Sequence, residues 1–168
     1  LELSSAASDV YKRQCQEADV TVSMHIGSSS SMPTTSPDAP LATSMSLYAQ
    51  NAEGSFVDWV FSGTLQRFPS IKIAYAESQV GWMPFQLERM DSVFKEGRGG
   101  VGGAGPLPSE IAKGRIYGCI FDDLVGLKQR DDVGIDQILF ETDYPHSDGT
   151  FPHSRKVAHS MFAAVGMN

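Results

Sequence analysis

Residues 138–146 read ILFETDYPH, and within that stretch the chain passes from three large apolar side chains to acids and an imidazole. Ile138, Leu139 and Phe140 have the composition of a buried strand, so Glu141, Asp143 and His146 fall where that strand leaves the core for solvent. The same change of character occurs at three earlier places. VTVSMHI at 20–26 delivers His25, IKIAYAES at 71–78 delivers Glu77, and IYGCIFDD at 116–123 delivers Asp122 and Asp123.

Between these strands the apolar period lengthens. SFVDWVFSGTLQRF at 55–68 repeats Phe56, Val57, Val60, Phe61 and Leu65 at helical spacing, with Ser55 placed to cap the helix. GWMPFQLERMDSVFKE at 81–96 offers Trp82, Phe85, Leu87, Met90, Val93 and Phe94 as a broad buried face, and further helices are expected in DLVGLKQR (123–130) and SRKVAHSMFAAV (154–165). Strand and helix alternate, which implies parallel strands joined by crossovers, either as an open doubly wound sheet or as part of a (β/α)8 barrel. Either arrangement sends every strand's C-terminal end to one edge, where groups from separate strands can meet.

Bulk properties narrow the functions. The chain has 168 residues, 41% of them hydrophobic, enough for one core. Its net charge of −7, from 13 basic and 20 acidic residues, argues against nucleic-acid or anionic-membrane surfaces and favours small-molecule partners. Cys15 and Cys119 are far apart and lack CxxC spacing, which encodes neither a disulfide framework nor a thiolate zinc site and suits a reducing cytoplasm. No apolar run approaches the ~18 residues of a membrane span. SSAASDVYKRQ at 4–14 resembles the translation of a sequencing-adapter read-through, so residues 1–14 are expected to be a non-native leader without fold information.

Two low-complexity stretches interrupt the alternation. Residues 27–40, GSSSSMPTTSPDAP, form a loop at a strand's C-terminal end, either a lid over the site or a plain insertion. Gly97, Gly99 and Gly102 have GxGxxG spacing, yet a helix runs into them and proline breaks the exit, so 97–108 reads as a flexible linker rather than a dinucleotide fingerprint.

One nitrogen and two oxygen donors at a common edge suit a divalent ion, zinc above all. Each residue also has a plainer reading. His25 could be a hydrogen-bonded core histidine, Glu77 a partner for the next helix's N-terminus, and Asp122 and Asp123 are better explained as helix caps than as ligands. Asp143 differs, because Thr142, Tyr144 and Pro145 constrain the backbone around it in a way capping does not require. His159, on the last helix, reads as a surface or packing residue.

Taken together, MHIGSS (24–29), IKIAYAESQVGWMPFQLERMD (71–91) and ILFETDYPHSDGTFPHS (138–154) resemble the C-terminal half of the amidohydrolase-2 group, the metal-dependent relatives of aminocarboxymuconate semialdehyde decarboxylase. The resemblance runs from residue 15 to 168 and implies half of a (β/α)8 TIM barrel with about four parallel strands. By it, His25 matches a metal-ligand histidine on the fifth strand, and Asp143 matches the eighth-strand aspartate that binds metal and handles a proton. Glu77 stands where the family has a second catalytic histidine, and the family's first-strand HxH-like or ExH-like pair does not occur. His146 and Trp82 are candidates for contacting substrate. The implied parent is a metal-dependent hydrolase of a small cyclic or carboxylated substrate, assembled as a homo-oligomer, with a non-oxidative decarboxylase as the alternative and a non-enzymatic α/β binding module as a third reading. The present chain, with part of that ligand set, is expected to be inactive alone, to bind zinc weakly and to self-associate.

Overall fold

Alternation of apolar and polar residues at period two gives each short strand one face for the core and one for the site. The computed structural model describes residues 6–27 and 31–167; residues 1–5 of the expected leader and 28–30 of the first loop lie outside the described residues. Four strands form one sheet in the order β1-β2-β3-β4, all parallel: β1 Val22–His25, β2 Ile73–Ala76, β3 Ile116–Ile120 and β4 Ile138–Phe140. Helices α2 (Leu41–Leu47), α3 (Ala49–Phe61) and α4 (Thr64–Arg67) connect β1 to β2. Helices α5 (Met83–Lys95) and α6 (Pro108–Ala112) connect β2 to β3, α7 (Leu124–Lys128) and α8 (Arg130–Val133) connect β3 to β4, and α9 (Ser154–Ala164) follows.

The core lies between the sheet and these helices. Ile73, Tyr75, Ile116 and Ile120 are all buried against Phe56, Trp59, Val60, Met83 and Met90. Gly118, in register with Tyr75, also faces the helices, and a Cβ there would stand 2.5 Å from Val80 Cγ1. Only glycine lets the loop after β2 press this closely on β3. The other face, carrying Ser23, His25, Ala74, Tyr117, Cys119 and Leu139 in matching register, is partly or fully exposed.

Three expectations change. β4 is a strand, but Leu139 and Phe140 are 39% and 40% exposed rather than buried, because β4 is an edge strand paired only with β3. Ser55 does not cap a helix: α3 begins six residues earlier at Ala49, and Ser55 sits within it, accepting a 3.0 Å hydrogen bond from the Tyr75 hydroxyl. Phe85 is 68% exposed, since it lies two residues, about 200° of helical rotation, from the buried Met83. Residues 6–14 of the expected leader belong to α1 (Ala6–Glu17), whose Lys12 is buried, paired with Asp9 and 5.8 Å from the centre of the Trp59 ring.

Candidate active site at the C-terminal strand ends

Parallel pairing carries the last residues of β1, β2 and β4 to one edge, and two polar links join them there. His25 closes β1. Its Nδ1 lies 2.6 Å from the Ile26 carbonyl, which can only accept, so Nδ1 carries the proton and Nε2 faces Glu77 Oε1 at 2.5 Å. Glu77 follows β2 with a positive φ of 57°, uncommon for a residue other than glycine, and its N–H donates to Glu141 Oε1 at 2.7 Å. Asp143, also left-handed at φ 52°, accepts through Oδ2 from His146 Nδ1 at 2.8 Å, and its carbonyl accepts the His146 N–H at 2.7 Å. The Asp143 carboxylate lies near enough to Glu77 to disfavour a second negative charge there.

The side chains of Glu77 and Asp143 are only 13% exposed, whereas those of His25 and His146 are 61% and 59% exposed. Burial, and then the charge and hydrogen bond of Asp143, push the Glu77 carboxyl above its ordinary value, against the pull of His25 and His146. Burial also raises Glu141, reinforced by the charges of Glu77 and Asp143 and opposed by the Glu77 N–H. The His25 imidazole is raised chiefly by the Ile26 carbonyl, with Glu77 and Asp143 adding to it against desolvation. The backbone around Asp143 is packed closely: a Cβ on Gly149 would meet the Thr142 carbonyl at 2.5 Å and Asp143 Cβ at 2.9 Å.

A cavity of about 170 Å³ opens on Glu77 and Asp143, walled by Ile26, Met45, Tyr48 and Phe121. The wall therefore comes from α2, which follows the 27–40 loop, while Asn51 holds the loop by accepting the Gly27 N–H at 2.9 Å. A larger cavity of about 320 Å³ lies on the helical side, beside Phe56, Ile116 and Gln137, and none of the strand-end acids lines it.

Of the residues singled out in the sequence, His25, Glu77, Asp143 and His146 come together. Trp82 is turned away: its indole N–H donates to the Ser78 carbonyl at 2.9 Å, and its ring meets Phe56 edge to face. Asp123 is a cap, as expected, accepting from the N–H groups of Gly126, Val80 and Gly81 at 2.7 to 2.8 Å, while Asp122, like His153 and His159, is exposed. Glu141 joins the cluster without having been given a role in the sequence. Its parity with Leu139, two residues earlier on the open face, is the signal that points it inward.

The imidazole of His25 and the carboxylate of Asp143 are donors of the kind a divalent ion takes. Among the described residues no three His, Cys, Asp or Glu side chains are grouped so as to hold an ion.

The model of the family described as Amidohydrolase matches residues 9–163. No curated protein matches by sequence. Among solved structures, an amidohydrolase from Mycobacterium avium subsp. paratuberculosis K-10 is 19% identical with a TM-score of 0.71, over 99% of this chain and 42% of that one. The 5-carboxyvanillate decarboxylase of Sphingomonas paucimobilis is 16% identical with a TM-score of 0.67, over 98% and 54%. The dihydroxybenzoic acid decarboxylase of Polaromonas sp. JS666, whose structure holds manganese and the inhibitor 2-nitroresorcinol, is 16% identical with a TM-score of 0.67, over 99% and 53%. The chain thus spans about half the length of the structures it matches, and its four parallel strands with their helices are a partial (β/α)8 barrel.

Proposed function

Since the chain belongs to the amidohydrolase family, we propose that it forms half of a metal-dependent hydrolase acting on a small cyclic or carboxylated substrate, such as a lactone or cyclic amide. The observation that carries this reading is the meeting of Glu77, Asp143, His25 and His146 from three strand ends, with Glu77 and Asp143 lining one cavity and the two imidazoles bonded to them from its rim. His25 and Asp143 would hold a divalent ion, zinc by the mixture of nitrogen and oxygen donors, and such an ion polarises a carbonyl and acidifies water. Asp143 takes the proton of the attacking water, and His146, bonded to it and open to solvent, carries that proton away. Glu77 gives a proton to the leaving group, and the walls from α2 and Phe121 exclude bulk water from the reacting carbon.

Two of the fold neighbours are decarboxylases, which supports a second reading in which Glu77 protonates the carbon that has lost carbon dioxide. The test is a screen of the full-length protein over lactones, cyclic amides and aromatic carboxylates, together with Asp143→Asn. Asp143→Asn is expected to lower turnover by roughly 10²- to 10⁴-fold with the unfolding midpoint unchanged. Near-normal turnover in that variant would overturn the assignment, and release of carbon dioxide without hydrolysis would move the reading to the lyase. Metal analysis of the protein purified without chelator should find about one divalent ion per chain, and an active protein free of metal would remove the ion from the reading.

A further inference from the structure

We infer that Glu141 is a positioning residue: it holds Glu77 in its working orientation by accepting the Glu77 backbone N–H. The inference rests on the reading of Glu77 as the proton donor. Its starting point is a break in the sheet ladder. Tyr75 is in register with Gly118, but the next ladder-like bond to β3 is made by Gln79, whose N–H reaches the Cys119 carbonyl at 3.1 Å. Ala76 is still paired with His25 of β1, so the chain leaves the ladder at Glu77 and Ser78, before Gln79 reattaches it to β3, with Glu77 in the left-handed region and Gln79 left-handed as well, at φ 54°. A bulged residue loses its ladder partner, and a half-buried N–H left without an acceptor disfavours that conformation.

Glu141 supplies the acceptor from across the sheet. Its own N–H bonds the Ile120 carbonyl at 3.0 Å, which keeps the chain beyond β4 in step with β3. Its carboxylate lies on the open face with Cys119, crosses β3, and receives the Glu77 N–H at 2.7 Å. The bond joins the ends of β2 and β4, two strands that are not neighbours in the sheet. Without it Glu77 relaxes toward extended backbone, and its carboxyl swings off His25 Nε2 and Asp143. Glu141 needs no proton transfer for this work; it acts through Glu77.

The test has a chemical arm and a structural arm, both on the full-length protein. Glu141→Ala should lower kcat by roughly 10- to 100-fold with KM changed by no more than about 3-fold, and Glu141→Gln, whose amide oxygen can accept the same bond, should recover most of the rate. By NMR, hydrogen exchange at the Glu77 amide should be slow in the wild type and in Glu141→Gln and on the order of 10-fold faster or more in Glu141→Ala. An alanine variant whose Glu77 amide still exchanges slowly overturns the inference whatever its activity. Fast exchange in the alanine variant alone supports it even where no substrate is hydrolysed, and in that case it is the proposed function that fails. If the alanine variant does not fold, the glutamine variant decides: a folded Glu141→Gln protein with a rate loss beyond about 100-fold overturns the inference, because the acceptor is still present.

Discussion

The two faces of the sheet are built from alternate residues of the same four strands and have opposite properties. On the helical face, Ile73, Tyr75, Ile116 and Ile120 are 2% exposed or less. On the open face, residues one position away, Ser23, His25, Tyr117 and Cys119, keep contact with solvent or with the acids beyond the strand ends. Core packing lies on one side and the proposed chemistry on the other, so substitutions one position apart should differ in kind. This is the pleat of a strand put to two uses.

The largest effect that would test the contrast is in the core. Ile73→Ala should cost about 2 to 5 kcal/mol of unfolding free energy in urea, against within about 0.5 kcal/mol for Ser23→Ala on the open face. Equal losses would mean that both faces are packed. Next, Gly118→Ala should cost about 1 to 3 kcal/mol, since the new methyl meets Val80 at 2.5 Å with no room to yield. A neutral result would show that the loop after β2 moves aside.

On the open face the expected signal is pH dependence. Glu77 and Glu141 are raised above the ordinary 4.5, and His25 above 6.5, so the folded chain holds protons that the unfolded chain releases. Raised groups lend stability that is fully present below their unfolded pKa and is lost as pH climbs through the folded value. The unfolding midpoint should accordingly fall between pH 5 and 8, and fall less steeply in Glu77→Gln; a midpoint that rises over that window would reverse the sign. The smallest effect concerns Cys119, whose thiol burial pushes up to about 11. At pH 8 roughly one such thiol in a thousand is ionised, so mass spectrometry should find iodoacetamide adding to Cys15 well before Cys119.

Much of this plan is legible in the sequence because strand ends and helix periods are local signals. The four strands lie where ADVTVSMHI, IKIAYAES, IYGCIF and QILFETD place them, and the acids and imidazoles that follow converge as parallel pairing requires. What the sequence misjudges depends on neighbours it does not name. Leu139 and Phe140 have the composition of core residues, but β4 has a partner on one side only. Ser55 looks like a cap because the preceding Ala49–Gly54 turn has little apolar character to announce a helix. Glu141 seemed only to end a strand, since nothing local reveals that an amide 64 residues earlier, displaced by a bulge, would need its oxygen.

The order β1-β2-β3-β4 also bears on how the sheet comes together. Val22 and Ile73 are 51 residues apart, Ile73 and Ile116 are 43 apart, and Gly118 and Ile138 only 20. By the logarithmic growth of loop-closure entropy, joining β3 to β4 costs about 0.8 kcal/mol less than joining β1 to β2. The pair that closes most readily is thus the one that leads directly into Asp143, while the pair that closes at greatest cost brings in His25. The acid is placed by a short contact order and the imidazole by a long one, so in a refolding chain the Asp143 end of the cluster is set before His25 arrives to complete it.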